Sequence, residues 1–160
     1  MTLSFKTKID GTPTYFVEKI LNSLISRNTP KLDIAYIDYC MNHTLANRFG
    51  LMGEKIHTIR ADNKNRWRTG QNIHFVINNR TKNRFQFAPL LPVKFIQAID
   101  IFAETRQVYV GLNGTMNLLS SEGVETLAKN DGFDSVDSFF KYFNEDFSGK
   151  IIHWTDFIYC

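Results

Sequence analysis

Cysteine is almost missing from this chain. Cys40 and Cys160 are the two among 160 residues, and no C-x-x-C occurs. That excludes a disulfide framework, gives no zinc signature, and makes a reducing, cytoplasmic setting the expectation. No apolar run reaches the roughly 18–20 residues that a membrane span needs. The opening Met1-Thr2-Leu3-Ser4-Phe5-Lys6 lacks the apolar stretch of a secretory signal. Internal repeats, low-complexity tracts and linkers are absent too, which leaves a single domain over residues 1–160. His57, His74 and His153 fall on expected strands without the spacing of metal ligands, so neither a metal nor a cofactor is implied.

What the chain does have is core-forming material. It is 43% hydrophobic and 14% aromatic, with fourteen Phe, which describes a folded domain able to bury a real core. The net charge is only +3, but it is segregated. From Glu54 to Arg84, eight Lys/Arg face two acids, a balance of +6. From Asn113 to Cys160, three Lys face eight acids, a balance of −5. Such segregation points to a basic face for a polyanion, against the plainer account of solvated hairpin turns.

Read in order, Leu3, Phe5 and Ile9 make an opening strand that ends at Asp10-Gly11. Thr12-Pro13 reads as a helix N-cap with proline in the first turn. Phe16, Val17, Ile20, Leu21, Leu24 and Ile25 then form one apolar helical stripe. Residues 31–52 fit a second helix or a strand equally well and read as an insertion. Tyr36 and Tyr39 within it suit packing better than base stacking. Ile73 to Ile77 and Arg84 to Phe87 form a hairpin around a basic turn, and Val93 to Phe102 and Val108 to Leu112 are further strands. Gln97, mid-strand, must find partners if buried. Ser120 or Ser121 and Ser135 start two short helices, Gly132 closing the first as a left-handed cap. A last strand runs from Ile151 to Tyr159. Short strands joined by hairpins predict an α+β fold: a small, mainly antiparallel barrel with three or four flanking helices.

One stretch concentrates chemistry: Gly53-Glu54-Lys55-Ile56-His57-Thr58-Ile59-Arg60. A turn feeds a strand carrying an amine, an imidazole, a hydroxyl and a guanidinium, groups suited to an anionic or carbonyl-bearing ligand. The competing account is an edge strand with a wet polar face. Downstream, Arg66-Trp67-Arg68 sets a large ring between two guanidinium groups. That suits base stacking with flanking phosphate contacts, or simple packing.

The octapeptide resembles the G-x-K-x-x-T-x-R signature of the ASCH family, whose fold is similar to the PUA domain of RNA-modifying enzymes. Arg68-Thr69-Gly70-Gln71-Asn72-Ile73 resembles that family's K-x-G-D turn. Ala128-Lys129-Asn130-Asp131-Gly132-Phe133-Asp134-Ser135 resembles its A-x-x-E-G-x-x-S segment. Ile151-Ile152-His153-Trp154-Thr155 fits its closing strand. The likeness runs from about Gly53 to the end and implies a PUA-like barrel. It also implies that RNA, or a modified nucleotide or nucleoside, binds in a cleft beside the signature. Gly53, Lys55, His57, Arg60, Arg66, Trp67 and Arg68 would line that cleft. A subset of the family, similar to bacterial N4-acetylcytidine amidohydrolase, removes an acyl group from modified cytidine without a metal. By position its catalytic residues correspond to Lys55, Thr58 and Asp131, with Asp in place of the family's Glu.

Amide hydrolysis needs a nucleophile, a base and an oxyanion holder. Thr58 as nucleophile with Lys55 as base requires the amine pKa to fall far below about 10.4. Asp131 as base for a water, with charged Lys55 holding the oxyanion, is the other assignment. A carboxylate one methylene shorter also fits a binding cleft without turnover, since catalytic geometry tolerates little displacement. As a plain scaffold, Lys55 and Asp131 would form an ion pair from strand to helix end, and Asp131-Gly132 would be a helix stop.

Overall fold

The structure is a computed structural model describing residues 1–29, 32, 52–112 and 114–160. The expected insertion, with Tyr36 and Tyr39, lies outside the described residues but for Leu32 and Met52. In chain order the elements are β1 (Thr2–Ser4), β2 (Lys8–Ile9), β3 (Thr12–Pro13), α1 (Phe16–Ser26), β4 (His57–Arg60), β5 (Asn72–Ile77), β6 (Phe85–Gln86) and β7 (Leu91–Pro92). Then come β8 (Phe95–Phe102), β9 (Gln107–Leu112), β10 (Thr115–Leu118), α2 (Ser121–Asn130), α3 (Val136–Tyr142) and β11 (Phe147–His153). This is an α+β chain whose sheets are mostly antiparallel. Among the described residues the strands form a four-stranded, a five-stranded and a two-stranded sheet, with no closed barrel traced by their pairings.

The chain divides into two compact units, Met1–Lys55 with Asn72–Leu91, and Ile56–Gln71 with Pro92–Cys160. In the first, β5 pairs in parallel with β1 (Leu3 opposite Phe75) and antiparallel with β6 (Val76 opposite Gln86). Alternation along these strands turns Leu3, Ile73 and Phe75 inward. Phe5, Phe75 and Phe87 meet as a ring cluster with centroids 5.8–6.1 Å apart.

Helix α1 begins later than Thr12-Pro13 implies. Asp10 and Gly11 both take positive φ (49° and 78°) and close a two-residue hairpin, which draws Thr12-Pro13 into β3 against Lys8–Ile9. The helix starts at Phe16 behind Tyr15, which is left-handed and supplies no side-chain cap. Val17, Ile20, Leu21 and Leu24 are buried as the stripe requires, while Ile25 is exposed. The polar flank of α1 is buried too, because it receives the chain leading into the signature. Asn22 Nδ2 donates to the Met52 carbonyl (2.8 Å), and the Lys55 amide donates to the Lys19 carbonyl (3.1 Å).

The second unit is a five-stranded antiparallel sheet in the order β10-β9-β8-β11-β4. Ile59, Ile99, Ile101, Val110 and Ile151 of the sheet share a core with Val124, Leu127 and Ala128 of α2 and Phe139 and Phe140 of α3. Much of the phenylalanine goes here: Phe133, Phe139, Phe143 and Phe147 form a run of tilted and edge-on ring pairs 4.8–6.4 Å apart. Ser120 caps α2 by accepting from the Gly123 amide (3.1 Å), and Ser135 with Ser138 closes a capping box on α3. Gly132 is left-handed (φ 88°) just past α2. The closing strand ends at His153, earlier than the expected Tyr159.

Candidate functional site

The signature enters its strand through the first unit. Glu54 is anchored there by Ser26 Oγ and Arg27 Nη1, each 2.5 Å from a carboxylate oxygen. Partial burial raises the Glu54 pKa, but the Ser26 hydrogen bond and the Arg27 charge outweigh it and hold it below the usual value. Gly53 is exposed, and an added Cβ would meet nothing within 4 Å. Lys55 ends this unit. It is 1% exposed, with its Nζ 4.7 Å from the centre of the Phe16 ring.

The second unit takes the signature over as β4. Its antiparallel register with β11 sets Arg60 opposite Lys150, Ile59 opposite Ile151, Thr58 opposite Ile152 and His57 opposite His153. Alternation puts His57 and Ile59 on the helix-covered face and Thr58 and Arg60 on the other. The strand is not wet: His57 is 0% and Thr58 2% exposed, with Arg60 partly exposed.

Asp131 comes from the C-terminal cap of α2 and is buried. Its Oδ1 accepts from the Ile59 amide (3.3 Å) and stands 3.6 Å from His57 Nδ1. One residue before it, the Asn130 carbonyl accepts from the Ile56 amide (2.9 Å). The end of α2 therefore docks on β4, an edge strand of this sheet. On the other side of the His57 ring, Nε2 lies 2.7 Å from the Tyr159 hydroxyl, and that hydroxyl accepts from Asn130 Nδ2 (3.0 Å). Burial raises the Tyr159 pKa far above 10, and the Asp131 charge adds to this against the Asn130 hydrogen bond.

Gln97 holds Tyr159 in place. Its amide donates to the Tyr159 carbonyl (2.8 Å) and accepts from the Tyr159 N–H (2.9 Å), which satisfies a polar side chain buried mid-strand. His153 packs edge-on to His57, ring centres 5.2 Å apart. Neither of its ring nitrogens has a hydrogen-bond partner among the described residues, and it is wholly buried. Burial, with the neighbouring His57, lowers its pKa to about 3, so the ring is neutral at physiological pH.

The basic residues between Glu54 and Arg84 divide between the units. Arg60, Lys64, Arg66 and Arg68 belong to the second, and Lys55, Arg80, Lys82 and Arg84 to the first. The loop after β4 is built around buried Asp62, which accepts from the amides of Arg66 (3.0 Å) and Trp67 (3.1 Å). Burial raises the Asp62 pKa, but those two amides and the charges of Arg66 and Lys150 outweigh it and leave it lowered. Arg66 and Arg68 are exposed, and Trp67 is buried.

Of the expected site residues, His57 and Asp131 are brought side by side, Thr58 lies on the opposite face of β4, and Lys55 belongs to the other unit. Sequence reading missed Tyr159 and Asn130. Tyr159 stands 102 positions from His57, and no local pattern links them. Among the described residues no group of three or more His, Cys, Asp or Glu assembles to hold a metal ion, and no helix is long and apolar enough to cross a membrane. No protein-family model, curated protein or solved structure matches this chain.

Proposed function

We propose that this chain is a PUA-like domain of the ASCH type, with a barrel-derived fold, that binds RNA or a modified nucleotide or nucleoside beside Gly53–Arg60. The observation that carries the reading is the burial of Lys55, His57 and Thr58, each 2% exposed or less. A polar strand face on a plain scaffold ordinarily sits in water, since taking such groups out of it is costly. Keeping an amine, an imidazole and a hydroxyl dry within four consecutive positions suits a ligand better than it suits stability. The Lys55 ammonium lies over the Phe16 face, which supports a cationic site beside the signature.

A second reading is metal-independent amidohydrolysis of an N4-acylated cytidine or related nucleoside. It is favoured by the Asp131 carboxylate, held by a backbone amide beside an imidazole, which is how a general base is oriented. The first test is anisotropy titration of a labelled single-stranded RNA, together with N4-acetylcytidine incubation followed by chromatography, with Lys55→Ala as control. RNA or nucleoside binding without product supports the binding domain. Product lost in Lys55→Ala supports the enzyme. Neither binding nor product overturns both.

A further inference from the structure

The proton positions around His57 follow from its neighbours. The Tyr159 hydroxyl has two hydrogen-bonding neighbours among the described residues, Asn130 Nδ2 at 3.0 Å and His57 Nε2 at 2.7 Å. Asn130 donates a hydrogen bond to it. A phenol has one proton of its own to give, and burial keeps it on the oxygen. That proton has one acceptor within reach, His57 Nε2. An Nε2 that accepts is unprotonated, so the neutral ring carries its proton on Nδ1, the nitrogen 3.6 Å from Asp131 Oδ1. The opposite tautomer fails twice. It would leave the Tyr159 O–H buried with no acceptor, and it would turn an imidazole lone pair toward a carboxylate.

We infer that Tyr159 and Asn130 are positioning residues that lock His57 in its Nδ1–H tautomer, so that the ring presents a donor to the Asp131 carboxylate. Two hydrogen bonds, Asn130 to Tyr159 and Tyr159 to His57, set the ring, and its charge-facing edge lies 3.6 Å from Asp131. The Ile59 amide donates to Asp131 Oδ1, and the His57 Nδ1–H faces the same oxygen from 3.6 Å, an electrostatic approach longer than a hydrogen bond. His153, edge-on to His57, is neutral and leaves this polarity undisturbed. The consequence for binding or turnover rests on the functional reading above; the tautomer does not.

The test is two-bond proton–nitrogen NMR of the ¹⁵N-labelled chain near neutral pH, with His57 assigned from His57→Gln. The expected pattern is a protonated Nδ1 and a hydrogen-bonded, unprotonated Nε2. In Tyr159→Phe the Nε2 signal moves to that of a free imidazole nitrogen or the ring becomes a tautomer mixture. The Gln97 bonds survive this change because they go to the Tyr159 backbone. Asn130→Ala serves as a second variant, expected to weaken the lock in the same direction. An Nε2–H tautomer or an imidazolium in the unaltered chain overturns the inference, as does an unmoved His57 spectrum in both variants. Because the spectrum is read without ligand, a chain that binds neither RNA nor nucleoside leaves this result standing. As the functional readout, Tyr159→Phe lowers RNA affinity or nucleoside turnover severalfold and loses that effect in an Asp131→Asn background.

Discussion

Lys55 and His153 carry opposite consequences at the scale of single residues. A buried lysine that served the scaffold would be missed on replacement. One kept for a ligand costs binding when it is replaced, more than it costs stability. Lys55→Met is therefore expected to remove ligand binding while the chain stays folded by circular dichroism; loss of folding with binding lost alongside would assign Lys55 to the scaffold. His153 predicts a pH dependence. Folded, its ring takes a proton only near pH 3; unfolded, near 6.5. Between these values the unfolded chain holds the extra proton. Its contribution is thus fully present above about pH 6.5 and is lost as pH falls, by about 1.4 kcal/mol per unit at most. Denaturant melts at pH 7 and pH 5 should show a drop that His153→Phe reduces.

Among the elements, β4 is held by β11 at a point of close approach. A Cβ on Gly149 would come within 2.6 Å of the Arg60 carbonyl oxygen and of the Phe147 ring. Gly149→Ala must push the strands apart, so a loss of about 1–3 kcal/mol is expected, the usual cost of overpacking. Loss of amide-exchange protection should centre on His57–Arg60 and their partners in β11; an unchanged melt would mean that the strands yield freely. Local signals made several elements readable in the sequence. Serine caps and Gly132 mark α2 and α3 because capping is settled within four residues. The α1 stripe is readable for a similar reason. Its start differs from the expected one because Thr12-Pro13 obeys the helix-start rule while Asp10-Gly11 satisfies a hairpin rule, and the hairpin takes those residues. The parallel pairing of β1 with β5 joins Leu3 to Phe75, for which a single sequence offers no signal. The site divides along the same line. Gly53–Arg60 stood out as a local run of chemistry, whereas Tyr159 and Asn130 join it only through the fold.

For the whole molecule, charge is the property that discriminates partners. A single-stranded RNA held by several Lys/Arg contacts releases counterions, so affinity falls steeply with salt, the log–log slope changing by about 0.7 per phosphate contact. Arg60→Ala and Arg66→Ala are each expected to weaken RNA binding and lower that slope by roughly one contact. A free nucleoside carries no phosphate, and its binding should barely respond to salt. Titration of both ligands between low and physiological salt separates the two. Equal salt dependence for both would remove the polyanion role of the basic residues.

The two compact units are interleaved along the chain, which passes from one to the other at 55/56, 71/72 and 91/92. During synthesis, the first cannot close until residues 72–91 have left the ribosome, since β5 is the partner that β1 awaits. The second must keep β4 waiting until Lys150–His153 are made, because among the described residues β4 has its ladder with β11. Long-range closure of this kind slows folding. The nascent chain therefore carries β4, with Ile59 and its buried polar neighbours, without its ladder until β11 is made, and that strand is where chaperone dependence and misassembly should concentrate.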